Sequence, residues 1–507
     1  MRQILMLTVL FWISANRELP AQVCPSGTQP ANWGMTHDHT DGTSSRLFCE
    51  DQQGHISVTR RSSQGAGLVL NVRSYGATGN GVTEDTAAFQ AAIAALNAAG
   101  GGILFIPPTQ NFYKLSSGSP VLFSGVHNII MQGVGRESSL KLVVATDTGE
   151  AIRVESDSSD IVIEDLAIEC DPAVKGMNGI GAARIGLKQP TRLAFNRNYI
   201  HGFKAETGPS GGKGIAVETG VTDWEANNNW LDRNDFGIRI FATVAYPVTR
   251  WLARGNRVTN TTASVPGTGY AFYFSDSSAD YKSWEPGHAY SLGDLVIPSP
   301  VNSYLYQCVK AGKSGESIAN FSANLGASTS DNFVIWKTLA RVDGSSAPDP
   351  TRVDFSGTAT ENVIDIAPVG LFLGWAAGVD FSFNVLGKIG GADSAAFYIR
   401  ESQNCLISFN VVTGTMKNYV KIQESGGTYK SDNLSFLGNQ FMGITTGDGV
   451  SGDASAVNEA FLFNRMTGVA GKNYSLAHPG SNVIVDDDTA GFSLPRGNVL
   501  STPNVLR

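Results

Sequence analysis

Seven short segments of this 507-residue chain combine cationic, acidic and aromatic residues in one shared frame: AIRVES from Ala151, GIAVET from Gly214, GIRIFA from Gly237, AFYFSD from Ala271, GLFLGW from Gly370, AFYIRES from Ala396 and YVKIQES from Tyr419. Read as strands of period two, they turn Ile152, Val154, Ile215, Val217, Ile238, Ile240, Phe272 and Phe274 inward. The alternate positions then form two outward columns. One runs Arg153, Ala216, Arg239, Tyr273, Phe372, Tyr398, Lys421, and the other Glu155, Glu218, Phe241, Ser275, Gly374, Arg400, Gln423. Aromatic rings stack on sugars, guanidinium and ammonium groups pair with carboxylates or sulfates, and glutamates transfer protons. A merely solvated sheet face would carry Thr, Ser and Lys. This mixture predicts a binding wall, with Tyr273, Phe372 and Tyr398 as ring-stacking residues.

Two chemistries are open to such a wall. For hydrolysis, Glu155 and Glu218 lie 63 positions apart. That is two coils, or about 10 Å at the spacing of adjacent strands, near the separation of an inverting pair. Glu401 and Glu424 recur one coil apart, which suits a retaining pair or a cation site. Elimination needs a cation to neutralise a uronate and a base to take its C5 proton. Arg239 with Tyr273, or Arg400 with Tyr398 and Lys421, fills those roles, and His201 in NYIHGF is a further candidate base. The candidate catalytic residues are therefore Glu155, Glu218, Arg239, Arg400 and Lys421. His37 and His39 flank one Asp in a polar loop, too little to define a metal site; no cofactor is expected, and nothing supports a calcium ion.

What must position these residues is a repeat. An Asn followed closely by an apolar residue recurs at Asn198, Asn229, Asn256, Asn362, Asn384, Asn410, Asn439 and Asn464, with gaps of 31, 27, 106, 22, 26, 29 and 25 residues. Six of the gaps fit one coil of a solenoid, in which an Asn at the same corner of each coil hydrogen-bonds to its neighbours above and below. The gap of 106 marks an insertion at 279–342.

The repeat is preceded by NVRSYGATGNGVTEDTAAFQ at 71–90, in which Gly76, Gly79 and Gly81 allow a tight turn. Thr83 or Asp85 can cap a helix, and Phe89, Ala92, Ile93 and Leu96 recur at helical spacing before Gly100, Gly101 and Gly102 end it. The segment resembles the opening of the pectate-lyase superfamily, whose rhamnogalacturonase-like, epimerase-like and tailspike-like members begin with Y-G-A-x-G-D-G-x-T-D-D-T-x-A-I-Q; Asn80 and Glu84 stand here for two of its aspartates. The resemblance implies an all-β fold: a right-handed single-stranded parallel β-helix with an N-terminal capping helix. The N-T-D, D-D, G-H-G and R-I-K segments of its polygalacturonase-like hydrolases are missing, GIRI at 237–240 being the nearest approach. The insertion, with Trp284, AYSLGDLV, YLYQCVKAGKSG and Trp336, resembles a small chitin-binding type of carbohydrate-binding module. That resemblance nominates Trp284, Tyr290, Tyr306 and Trp336 as sugar-stacking residues, against the plainer alternative that they are the core of a very small domain.

Composition sets the outer limits. With 42% apolar and 16% charged residues and 57 glycines, the chain is folded and turn-rich. A net charge of -8 excludes nucleic acid as the partner and requires a local basic patch for an acidic glycan. Residues 1–22 have a positive start and a short apolar run, read as a cleaved signal peptide that leaves no membrane segment. Cys24 and Cys49 bracket a polar segment and are the expected disulfide of an oxidising compartment, whereas Cys170, Cys308 and Cys405 sit in apolar strands as buried thiols. The expected organisation is a disulfide-bearing segment at 23–65, a β-helix at 66–278 and 343–495, the insertion at 279–342 and a tail at 496–507. The expected protein is secreted, extracellular or periplasmic, as a monomer or homotrimer. It binds and cleaves an acidic polysaccharide by lyase or hydrolase chemistry. The alternative is a non-catalytic glycan-binding adhesin or tailspike-like surface protein.

Overall fold

A computed structural model describes residues 28–30, 46–51, 56–60 and 68–486, except 117, 144–148, 175, 205–210, 244, 262–268, 277–280, 299–303, 325, 342–352, 391–393, 424–430, 454–455 and 478–482. The chain divides into two compact units, Met1–Gly67 and Leu68–Arg507. In the first, strand Arg46–Asp51 pairs antiparallel with Thr28–Pro30 on one side and Ile56–Arg60 on the other. Cys24, and with it the expected disulfide, lies outside the described residues, as do the expected signal peptide and the tail at 496–507.

The second unit is a right-handed parallel β-helix. Its first strand, Val69–Asn71, leads through the glycine turn into the helix Thr86–Ala98, which buries Phe89, Ala92, Ile93 and Leu96. Asp85 occupies the N-cap position but does not cap with its side chain. Its buried carboxylate instead accepts from the backbone N–H groups of Thr78 at 2.7 Å and Lys114 at 3.1 Å, tying the turn to the strand Tyr113–Leu115. The helix covers the open end of the first coils, whose strand edges would otherwise be unpaired.

Each full coil then supplies three strands. In the coil beginning at Thr191 they are Thr191–Asn196, Tyr199–His201 and Lys213–Glu218, and each pairs in parallel with its counterpart in the next coil, Thr222–Asn227, Trp230–Asp232 and Phe236–Ala242. The ladder asparagines sit at the corner between the first two strands. Asn198 donates its backbone N–H to Asn229 Oδ1 at 2.9 Å, and the same contact links Asn229 to Asn256, Asn256 to Asn362, and onward through Asn384, Asn410 and Asn439 to Asn464. Each Nδ2 in the run also reaches a backbone carbonyl, for example Asn410 to Phe381 at 2.9 Å. Before every ladder Asn the backbone is left-handed, with φ between 53° and 64° from Arg197 through Phe463. A single residue in that conformation turns the chain sharply, which is how a corner this short is made.

The insertion forms its own small sheet, with strands Leu295–Ile297, Tyr304–Lys310, Val334–Arg341 and Ser328–Asp331 paired antiparallel. Its core is Trp284, Tyr290, Val296, Tyr306, Cys308, Phe321, Val334 and Trp336. Leu295 and Leu305 pack on Tyr246 of the β-helix, whose ring also lies under Arg184 at 3.6 Å. Because Asn256 bonds directly to Asn362, the ladder does not depend on the insertion. A variant lacking 279–342, with its ends joined by a short linker, is expected to keep one cooperative unfolding transition; aggregation or a broadened transition in thermal scans would show instead that the module is integral.

Candidate functional site

The face that carries the expected columns is the sheet of eleven described strands from Val121–Ser124 to Tyr474–Leu476. Its register aligns Arg153, Gly181, Ala216, Arg239, Tyr273, Phe372, Tyr398 and Lys421 in one row, and Glu218, Phe241, Ser275, Gly374 and Arg400 in the next. The first expected column is therefore present in full, with Gly181 added, and the second from Glu218 to Arg400. The sequence frame omits one coil, strand Gly176–Ala183, whose GMNGIGAA has neither charge nor bulk to mark it. With that strand counted, Glu155 and Glu218 are two strands apart.

A third row flanks these two: Glu150, Asn178, Lys213, Phe236, Tyr270, Val369, Ala395 and Asn418. Strict alternation would turn these residues inward. At the start of these strands, however, two successive positions face the interior, because a Cβ at Gly179, Gly214, Gly237 or Gly370 would run into the core side chains of Ile200, Leu231, Val258 and Leu386. The residue before each glycine swings outward as a result. Phe236 accordingly meets Tyr273 and Arg239 on the outer side, with ring centroids 5.2 Å apart and the guanidinium 5.5 Å from the ring.

Where the three rows meet at the coils of residues 150–240, charges are buried together. Lys213 is 2% exposed and Arg239 8%, and they lie close enough to repel one another, with Glu150, Glu218 and Asp235 supplying the opposite charge. Burial, with Arg239 beside it, brings the Lys213 ammonium down to about 7. Burial also pulls Arg239 below its ordinary value, against the pull of Glu218. Glu150 is held above the usual carboxylate range by burial, which outweighs the Arg153 guanidinium 3.0 Å away. Asn178 Nδ2 also donates to Glu150, and Gly181 leaves the room for this: a Cβ there would stand 3.2 Å from both partners. Asn178 Oδ1, Arg153 Nε and Arg239 Nε are buried without a hydrogen-bond partner among the described residues. Such groups are costly to leave without a partner, which sets this cluster apart from the rest of the sheet.

Further along, the aromatic residues hold one another. Tyr273 stacks on Phe372 at 4.6 Å and 12°, and Phe372 lies across Gly374, where a Cβ would come within 2.8 Å of its ring. Phe372 is 3% exposed, so the expected ring-stacking residue is a packed one. Tyr273 and Tyr398 are half-buried on this face, and Tyr398 donates to Gln423 at 3.1 Å. Lys421 and Arg400 approach the Tyr398 ring at 4.7 and 5.9 Å, and Arg400 Nε is another buried donor without a hydrogen-bond partner among the described residues. Tyr270, pushed up to about 12 by burial, remains a neutral phenol against the Tyr273 and Phe372 rings.

The remaining expected residues lie elsewhere or are otherwise engaged. Glu155 pairs with Arg153 at 3.6 Å. Glu401 is fully buried in a left-handed turn, and Glu424 lies outside the described residues, as do His37 and His39. His201 is on another face of the β-helix, bonded to Asp232 at 3.1 Å. In the insertion, Trp284, Tyr290, Tyr306 and Trp336 are all buried, and both indole N–H groups donate to Asp331, at 2.7 and 2.9 Å. The expectation that these four present faces to a sugar is therefore corrected: they are the core of a domain too small to have another. Trp336→Ala should accordingly unfold the module, at a cost of about 3–5 kcal/mol, and expose 279–342 to limited proteolysis. Resistance equal to the parent's would refute that core role. Among the described residues no cluster of His, Cys, Asp and Glu could hold a metal ion.

Residues 69–118 match the family model for rhamnogalacturonase A/epimerase, pectate lyase-like proteins. The fold is the pectate-lyase-like parallel β-helix. Among curated proteins, Mannuronan C5-epimerase AlgE2 of Azotobacter vinelandii is 38% identical over 109 residues, 20% of this chain and 10% of that protein. Alginate lyase 7 of the same organism is 31% identical over 156 residues, 25% of this chain and 18% of that one. The match thus spans less than a fifth of either relative. Among solved structures, the A-module of Azotobacter vinelandii mannuronan C-5 epimerase AlgE4 aligns over 82% of this chain and 99% of its own, with 15% identity and a TM-score of 0.45. The Dettilon tailspike protein aligns over 82% and 70%, with 13% identity and a TM-score of 0.43. No helix among the described residues is long and apolar enough to cross a membrane.

Proposed function

We propose that this chain binds a uronic-acid polysaccharide along the groove face and acts on it by removing the C5 proton, as a lyase or an epimerase. The observation that carries this reading is the pair of adjacent buried cations, Lys213 and Arg239, in a groove whose neighbouring donors lack partners. A uronate carboxylate placed there satisfies Arg239 and delocalises the carbanion charge that develops when C5 loses its proton. An ammonium lowered to about 7 is part neutral at physiological pH, so Lys213 can accept that proton once the carboxylate is held by Arg239. If the C4–O bond then breaks, the leaving oxygen takes a proton and an unsaturated uronate results. If a proton returns to C5 from the opposite face, the product is the epimer. Both named activities of the curated relatives, mannuronan C5-epimerase and alginate lyase, share this first step, which favours it over hydrolysis by Glu155 and Glu218.

Incubation in D2O with alginate, polygalacturonate and a neutral glucan separates the readings. With an acidic polymer only, an epimerase is expected to place solvent deuterium at C5, and a lyase to give the ultraviolet absorbance of a C4–C5 double bond, whose C5 carries no hydrogen. New reducing ends without either signal would return the hydrolase. Binding with no product would leave the chain a glycan-binding surface protein, secreted or carried on a particle. With Lys213 as base, the rate should rise as pH passes upward through about 7, where the ammonium deprotonates. A rate falling through that range would reject Lys213 as the base.

A further inference from the structure

A second cluster lies on a different face of the β-helix, on the short strands Tyr199–His201, Trp230–Asp232 and Arg257–Thr259. Tyr199 and Trp230 are opposite one another on adjacent coils, with their rings 5.2 Å apart. The Arg136 guanidinium lies over both, 3.7 Å from the Tyr199 ring and 4.3 Å from the Trp230 ring. Arg136 reaches them from an excursion in the strand His127–Leu142. Gln132 faces Glu164 and Ser139 faces Ala167, so the upper coil uses six residues, 133–138, where the coil below uses two, 165–166.

The arginines on nearby coils are neutralised. Arg192 pairs with Asp160, Arg197 with Asp165, Arg250 with Asp223 and Arg254 with Glu361, each at 2.7 to 2.9 Å. Arg136 is exposed, and no carboxylate among the described residues lies within ion-pair distance of it. The two rings hold the guanidinium in place while the residue stays exposed, and a planar fork so held can present two parallel donors to an oxyanion. Next to it, His201 has Nδ1 engaged by Tyr199 Oη at 3.0 Å and Asp232 at 3.1 Å, and no described residue hydrogen-bonds its Nε2. We propose that Arg136, held over the Tyr199 and Trp230 rings and flanked by His201, is an anchoring site for the anionic group of an acidic polysaccharide, separate from the face that carries Arg239. The choice of polysaccharide rests on the function proposed above; the oxyanion site rests on Arg136 itself.

Affinity electrophoresis in gels containing alginate, with dextran gels as the neutral control, tests it in the full chain. Removing groove binding with Arg239→Ala should leave residual retardation by alginate, and adding Arg136→Ala should weaken that residual affinity by about tenfold, the loss of one bidentate charge-assisted contact. Arg136→Lys should recover only part of it, because an ammonium keeps the charge without the planar fork. Thermal midpoints matching the Arg239→Ala parent would show that the fold is kept, and Trp230→Phe, which retains a ring under the guanidinium, should retain most of the residual affinity. Residual retardation unchanged by Arg136→Ala, or equal losses in dextran, would overturn the site. If Arg239→Ala has no effect on retardation while Arg136→Ala abolishes it, the groove reading fails and the Arg136 site stands.

Discussion

Arg239→Ala is expected to reduce turnover of an acidic polysaccharide by about 10²–10³-fold, the range for removing one preorganised donor from developing oxyanion charge. The guanidinium is 8% exposed and lies against the Phe236, Phe241 and Tyr273 rings at 5.5, 4.4 and 5.6 Å. A substrate carboxylate meeting it there is largely withdrawn from water, where the contact is strongest. Arg239→Lys should not restore the rate, because a lysine cannot keep the fork in that aromatic frame. Lys213→Met gives a complementary readout. The folded pKa of about 7 lies below that of an unfolded lysine, so the unfolded state binds more protons between about pH 7 and 10.4. The parent's stability relative to Lys213→Met should therefore be lowest below pH 7 and recover as pH rises through that window. Full turnover in Arg239→Ala, or a flat stability difference with pH, would place the chemistry elsewhere on the β-helix.

Asn410→Ala should destabilise the β-helix by about 3 kcal/mol or more in urea unfolding, several times the effect of an ordinary surface substitution. Asn410 Oδ1 accepts from both the backbone N–H and the Nδ2 of Asn384, at 2.9 and 3.0 Å, and its own Nδ2 donates to Phe381 O at 2.9 Å. Alanine orphans the buried Asn384 backbone N–H, a desolvation cost of about 1–3 kcal/mol, and removes further contacts worth about 1 kcal/mol each from Phe381 O, from Asn439 Oδ1 and from Asn384 Nδ2, which keeps Ala359 O and Ser382 O. Asn410→Asp should be nearly as damaging, since it keeps the acceptor but loses the donor and buries a charge. A loss below about 1 kcal/mol would mean that water or relaxed backbone replaces the ladder contacts.

The ladder was readable in the sequence because it repeats one residue type at one corner, and every ladder Asn named from spacing stands in it. Its left-handed partner was not. That position holds Arg197, Glu361, Phe383 and Phe409 as well as Gly255, so no residue type marks it. Two of the groove rows were legible from alternation, and Arg239 and Tyr273 with them. Lys213, Glu150 and Asn178 were missed because the small residue after each, Gly214, Ala151 and Gly179, also faces the core and breaks the period of two, a steric event that depends on which core side chain stands opposite. The buried aromatics of the insertion show the converse limit: a Trp and Tyr pattern is the same whether the rings meet sugar or one another, and only their burial distinguishes the cases.

The direct contact between Asn256 and Asn362 also has a kinetic side. Chain synthesised up to Asp276 can stack its coils but ends in the unpaired strand Tyr270–Asp276, whose partner, Val369–Gly374, emerges only after the insertion. Closing a loop four times longer than an ordinary coil costs only about 1 kcal/mol more, because the entropy grows with the logarithm of length. The larger burden is the waiting time, during which a flat, apolar strand edge stands open to other nascent chains. An insertion that folds on its own core and packs Leu295 and Leu305 onto Tyr246 is held against the preceding coils while the missing strand is still to come. On this view the module acts as a folding splint: the variant lacking it should match the parent in equilibrium stability more closely than in its yield of refolded monomer at high protein concentration.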